Sequence, residues 1–143
     1  MKQIFINLCV KDLEKSVHFY EQLGFIINPT FTDVDQKCMA WSDQIYVMLQ
    51  SNEFFTSYIK KPVSNPTSQM ASSFTLPVDS HDTVNKMIEN GLAVGGTEPA
   101  PMKDEGFMLL RSIEDPDGHI WGIIHLDMDK FNEFKKNSSS QNR

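Results

Sequence analysis

A chain of 143 residues with 40% apolar composition can build one domain, or two small modules around a shared core, and is too short for two independent domains. Its 13 basic and 19 acidic residues give a formal charge of −6, which argues against nucleic acid or an anionic membrane as partner. No stretch approaches the ~20 apolar residues of a membrane span, and Met1-Lys2-Gln3-Ile4-Phe5-Ile6-Asn7 enters a strand pattern without an apolar signal segment, so the expected location is cytoplasmic.

Residues 4–10 read as a buried strand. Asp12 is the predicted N-cap of a helix with Leu13, Val17, Tyr20 and Leu23 on one face, and Gly24 supplies a left-handed stop. Strands are expected near 25–33, 37–42 and 44–50, with turns at Asp33-Val34-Asp35-Gln36 and Ser42-Asp43. Cys9 and Cys38 fall in these strand-like segments without metal-ligand spacing, which predicts buried reduced thiols.

Residues 51–71 join two halves. Glu53-Phe54-Phe55-Thr56-Ser57-Tyr58-Ile59 suggests a short helical turn, and Pro62 to Gln69 a polar linker. Phe54, Phe55 and Tyr58 either pack on a sheet or lid a pocket. Ser73-Phe74-Thr75-Leu76-Pro77-Val78 then forms a strand, and Asp79 or Ser80 caps a helix carrying Val84, Met87 and Ile88 that Gly91 should end. Strands are expected near 93–98, at 107–113 and at 119–126. The last follows Asp115-Pro116-Asp117-Gly118, where Pro presets φ, Asp bonds the local backbone and Gly accepts positive φ. Asp12 to Gly24 and Asp79 to Gly91 span equal lengths, so β-α-β-β-β occurs twice, over 1–50 and 72–127. Residues 128–143 form a charged, then Ser/Asn/Gln-rich tail expected to be disordered, with one amphipathic turn through Phe131 and Phe134.

The Val10-Lys11-Asp12 strand exit with its helix, and the Asp115-Pro116-Asp117-Gly118-His119 turn with its strand, resemble the vicinal oxygen chelate superfamily of glyoxalases, bleomycin- and fosfomycin-resistance proteins and extradiol dioxygenases. The resemblance covers residues 1–127. It implies an α+β fold in which two βαβββ modules form a curved mixed sheet with a cleft, and it implies a homodimer. Members hold a divalent metal in that cleft with two His and two Glu or Gln, as a Lewis acid for vicinal oxygens. Carried onto this chain by motif, those positions are Phe5, Met48, Ser73 (or Ser72, with the register shifted by one) and Gly122. No cofactor is therefore expected, and Zn, Ni or Mn would require relocated ligands.

An apolar cleft is expected instead, lined by Phe5, Tyr46 and Met48, with Trp41, Phe54, Tyr58, Ser73 and Phe107 contributing and Gly122 making room. Asn7 is either a polar anchor for a ligand or a core amide satisfied by backbone. Arg111 either pairs with an acid such as Glu114 or recognises an anionic ligand group through its bidentate fork. Residues 102–107 could gate the cleft. His18 and His81 read as solvated, and His119 as bonded locally. His125 shares the His119 strand face, directed away from the cleft, and about 20 Å separates two strand residues six apart. The expected function is a glyoxalase-like protein binding a small organic ligand. The alternatives are a metal-dependent lactoylglutathione lyase-type enzyme, a bleomycin-resistance-like drug-binding protein, or a regulatory interaction module; whether the chain is an enzyme stays open.

Overall fold

Alternation fixes the first strand. In a computed structural model describing residues 1–141, β1 (Ile4–Cys9) sends Ile6 and Leu8 into the core and leaves Phe5 and Asn7 on the other face. Asp12 caps α1 (Leu13–Leu23) by accepting from the Lys15 amide, and Gly24 ends it at φ 115°, a conformation that a β-carbon penalises. The chain continues through β2 (Ile26–Ile27), β3 (Gln36–Ala40), β4 (Ile45–Gln50) and the short α2 (Asn52–Phe55). The second half repeats the order as β5 (Ser73–Pro77), α3 (His81–Leu92), β6 (Lys103–Asp104), β7 (Met108–Glu114) and β8 (Ile120–Leu126). Sheet topology repeats too, as β1-β4-β3-β2 and β5-β8-β7-β6, with the first two strands of each parallel. The duplication read from the sequence is thus an architecture of two four-stranded mixed sheets. No helix among the described residues is long and apolar enough to cross a membrane.

Four local expectations are corrected. The strand near 25–33 shrinks to β2, because Pro29 offers no amide hydrogen and the Asn28 side chain accepts from the Thr30 amide, starting a 3₁₀ turn. The strand near 93–98 survives only as the Thr97–Glu114 bridge, and β6, inside the supposed gating loop, is the fourth strand. Gly91 does not end α3; it lies buried inside the helix where a β-carbon would collide with Ile113, so glycine permits the close approach. The tail forms α4 (Met128–Gln141) rather than a disordered segment, with Asp127 accepting from the Lys130 amide and Phe131 and Phe134 packing on Phe107. Asn142 and Arg143 lie outside the described residues.

Both modules share one core. α1 and α3 contribute Phe19, Tyr20, Val84 and Ile88, and the sheets contribute Val47, Leu49, Trp121 and Ile123, all fully or nearly fully buried. A polar latch crosses this core. The Trp121 indole donates to the Tyr20 hydroxyl at 3.0 Å, which donates to Asp115 at 2.8 Å. Asp115 also accepts from the Asp117 and His119 amides, and Asp117 accepts from the Lys11 amide at 2.9 Å. Burial and the Asp115 carboxylate push the Tyr20 phenol well above its ordinary range, which keeps it a donor. The turn chemistry read from Asp-Pro-Asp-Gly therefore also joins the modules.

Tyr20→Phe leaves two buried polar groups without their partner and is expected to cost about 1–3 kcal/mol in urea unfolding; a loss below ~0.5 kcal/mol would mean the latch is not a stability element. Burial, the largest influence, raises the Asp115 carboxyl above its usual range, against the lowering effects of His119 and the Tyr20 hydrogen bond. A carboxyl with a raised folded value binds its proton more tightly in the folded chain. Its contribution to stability is therefore greatest at acid pH and falls as pH rises from about 3.9 through the folded value. The stability difference between the native chain and Asp115→Asn should decline across that window, and a pH-independent difference contradicts the assignment.

Candidate functional site

Register places the outer face of the first sheet. β1 pairs with β4 as Phe5↔Tyr46, Asn7↔Met48 and Cys9↔Gln50, and β3 brings Cys38 opposite Met48 and Gln36 opposite Gln50. The Phe5 ring stacks on Tyr46 with centroids 4.7 Å apart and planes 10° apart, and Phe31 meets Phe5 edge-on at 5.9 Å. Tyr46, Met48 and Cys38 form a small apolar cluster separate from the main core. The Tyr46 hydroxyl reaches only the Asp43 carbonyl, at 2.9 Å. Phe5 itself remains 40% exposed, a large apolar ring near the start of β1.

This face floors a hollow of about 560 Å³ lined by Phe5, Asn7, Phe31, Gln36 and Met48 among first-module residues alone. Gln50 braces its amide side by donating to Gln36 at 3.1 Å and to Asn7 at 3.4 Å. Asn7 is thus a surface amide tied loosely to a neighbouring side chain. It also borders a second hollow, of about 1140 Å³, enclosed by the ends of β1 and β4, the linker after α2 and the Asp117 to Ile120 segment.

The remaining predicted residues divide. Tyr58 lines the second hollow, and Phe54 packs edge-on against it at 5.8 Å. Ser73 is exposed at the start of β5 and lines neither hollow. Gly122 lies in register with Thr75 and Ser112 on the outer face of the second sheet. Its missing β-carbon would sit 3.1 Å from the Thr75 hydroxyl and 3.4 Å from Leu110, so the room expected there is taken by those neighbours.

Trp41 and Phe107 stand away from both hollows, and Arg111 takes the ion-pair alternative with a different acid. Trp41 packs on Phe25 against the main core, because the alternation that turns Met39 inward and Cys38 and Ala40 outward carries position 41 to the inner face. Phe107 is covered by Phe131 and Phe134 of α4. Arg111 lies on the helix side of β7, where its fork donates to both Glu98 oxygens at 2.9 Å and its third nitrogen to Asn85 at 2.9 Å. The acid is Glu98 and not Glu114, since the two strand residues point to opposite sides. His81, expected to be solvated, meets His125 with Nδ1 atoms 2.7 Å apart. His119 reaches across the modules, and because a carbonyl only accepts, its Nε2 donates to Cys9 O at 2.8 Å. Cys9 and Cys38 are free thiols, both pushed up by burial.

Sequence reasoning missed Phe31, Gln36, Cys38 and Gln50. The period-two alternation of β3 and β4 carried the signal for the last three. Phe31 had none, because it stands in a turn.

Residues 2–40 match the family model described as bleomycin resistance protein-like N-terminal. No curated protein sequence matches the chain. Among solved structures, the hypothetical protein SA1046 from S. aureus is similar at 24% identity and TM-score 0.74, over 87% of this chain and 94% of that one. A glyoxalase-related enzyme from Fulvimarina pelagi is similar at 23% identity and TM-score 0.72, over 87% and 88%. A bleomycin-binding protein complexed with bleomycin is similar at 20% identity and TM-score 0.58, over 87% and 98%. Likeness at these identities shows a shared fold.

The four positions that the resemblance implies for a divalent metal carry a phenyl ring stacked on Tyr46, a buried thioether, an exposed hydroxyl and a glycine, and only Phe5 and Met48 line one hollow. None is an anionic or imidazole donor, so the set does not fit a divalent cation. Arg111→Met should destabilise the fold by about 1–3 kcal/mol by stranding Glu98 and Asn85, while leaving any ligand affinity of the outer faces unchanged. A change in affinity larger than threefold by calorimetric titration, at unchanged fold, would return Arg111 to the site.

Proposed function

We propose, from the vicinal oxygen chelate fold that this chain carries, that it binds a small organic ligand on the exposed Phe5 ring without a metal ion, within a homodimer. The single observation that carries this reading is the half-exposed Phe5, stacked on Tyr46 and flanked by Phe31, at a strand position where a metal ligand would otherwise stand. A flat apolar or aromatic group gains dispersion and burial on that floor. Gln36 and Asn7 at its edge orient polar substituents.

Binding is favoured over metal-dependent lyase chemistry by the groups bordering the hollow. Asp33 is its only carboxylate, and that side chain accepts from the Asp35 and Gln36 amides. No poised base reaches the floor, and proton abstraction beside a carbonyl needs one. The case for a dimer is the second sheet, whose outer face leaves Leu110, Ile120 and Ile124 partly exposed. A second copy laid across the Phe5 face would cover both surfaces.

Bleomycin and a panel of neutral planar aromatics, titrated calorimetrically into native protein and into Phe5→Ala, test the reading. At least one should bind in the presence of EDTA, and Phe5→Ala should weaken it about tenfold, equivalent to ~1.4 kcal/mol. Sedimentation should give twice the chain mass. Binding abolished by EDTA, or indifferent to Phe5→Ala, would sink the proposal.

A further inference from the structure

The larger hollow, beneath the linker, has a chemical character that the net charge conceals. At about 1140 Å³ it exceeds the Phe5 hollow, and it has space for a drug-sized guest. Its linker wall presents Tyr58, Ile59, Val63 and Met70, all exposed and Tyr58 at 81%. That much unpartnered apolar surface facing one cavity needs an occupant more than scattered surface residues do.

Among the charged groups facing the cavity, cations outnumber anions. Its charged lining residues are Lys11, Lys61 and Asp117. Asp117 is already committed, accepting from the Lys11 amide at 2.9 Å and from the Ser16 hydroxyl at 3.4 Å. Neither lysine enters an ion pair among the described residues. The His119 Nε2 proton is committed to Cys9 O. The Cys9 thiol, raised by burial, stays protonated and points to Asn52 Oδ1 at 3.7 Å, so nucleophilic chemistry has no thiolate here.

The side-chain amides add to the same sign. Asn65 Oδ1 accepts from the Thr67 amide at 3.1 Å, and Gln69 Oε1 accepts from the Asn65 amide at 3.2 Å. A backbone N–H can only donate, so these bonds fix both amide oxygens on the linker's own backbone and leave both amino groups uncommitted. Asn52 likewise has its oxygen engaged by the Cys9 thiol. Two ammonium groups and the amino groups of three lining amides thus border a cavity whose carboxylate keeps its charge but has its oxygens engaged, which leaves cations in excess. The wall is also seated firmly: the Pro66 carbonyl packs so closely on Gly118 that a β-carbon there would lie 2.6 Å from it.

We propose that the cavity beneath the linker is a second binding site, for an organic anion with a flat apolar body. Lys11 and Lys61 hold its carboxylate or phosphate, and Tyr58, Ile59 and Val63 cover the body. The carboxamide donors of Asn52, Asn65 and Gln69 complete the anion's shell. A chain of net charge −6 thereby carries a locally basic pocket, and its selectivity has the opposite sign to its overall field. This site stands whether or not the Phe5 face binds a ligand.

Four probes sharing one ring system test it by titration calorimetry at low salt: 2-naphthoate, 2-naphthyl phosphate, neutral 2-naphthamide and cationic 2-naphthylmethylammonium. Both anions should bind about 3–10-fold more tightly than the amide, and the cation most weakly. The ranking of carboxylate against phosphate identifies the preferred headgroup. The anion advantage should shrink at 0.5 M salt. The double variant Lys11→Gln/Lys61→Gln should abolish it while leaving naphthamide affinity and the melting temperature unchanged. Tyr58→Ala should weaken all four probes, and Phe5→Ala should leave anion binding intact. Equal affinity for all four probes overturns the proposal. So does anion binding lost in Phe5→Ala but retained in the lysine variant, which would assign the anion to the Phe5 face. Absence of any anion binding overturns it as well.

Discussion

The hydrogen-bonded chain from Trp121 through Tyr20 to Asp115 is the constraint on which the rest of the molecule depends. It crosses from β8 to α1 inside a mainly apolar core, beside the Ser16–Asp117 and His119–Cys9 bonds that also join the two halves. Apolar packing is tolerant of sliding, whereas a buried chain of donors and acceptors is satisfied in one arrangement only. The arrangement it selects has α1 and α3 together at the centre. Each sheet then spends its inner face on helices, and its outer face remains free for chemistry.

That division explains why period-two alternation matters more here than any single motif. Leu8, Val47 and Leu49 satisfy the inner face of the first sheet, and the intervening residues are released from packing duty. On the released positions stand Phe5, Asn7, Tyr46, Met48 and Gln50. A point-like site built from imidazole and carboxylate would bind through a few short bonds of high energy. A stacked aromatic floor binds through many weak contacts, so its selectivity rests on shape and on the amides at its border.

The duplication, the capped helices and the outer-face residues Phe5, Tyr46 and Met48 were legible in the sequence because each depends on local chemistry or on a short period. The Arg111 placement was not, because its partners Glu98 and Asn85 lie on a loop and a helix whose approach to β7 only the tertiary fold sets. Trp41 and Phe107 look like cleft residues by composition and by strand proximity, yet one stands past a strand end and the other beneath a helix. Beyond the turn through Phe131 and Phe134, that helix, α4, escaped prediction because its propensity is weak and its anchor, Phe107, is distant in sequence. Phe31 was hidden by a turn that Pro29 and Asn28 impose on an otherwise strand-like run. Each miss is a case of tertiary contact overriding a local pattern.

The linker carries the same lesson into function. Its sequence is polar and rich in Pro, Ser and Asn, a composition usually read as a passive connector. Yet Asn65 and Gln69 bond the linker to itself, and Pro66 seats it against Gly118, so its side chains are presented and not merely tethered. Self-bonding consumes amide oxygens and spares amide hydrogens, which biases the enclosed space toward anions before any lysine is counted. On the opposite wall Asp117 keeps its charge but has its oxygens engaged by the Lys11 amide and Ser16, while the Lys11 ammonium enters no ion pair among the described residues. The turn that joins the modules therefore also walls the cavity between them and the linker.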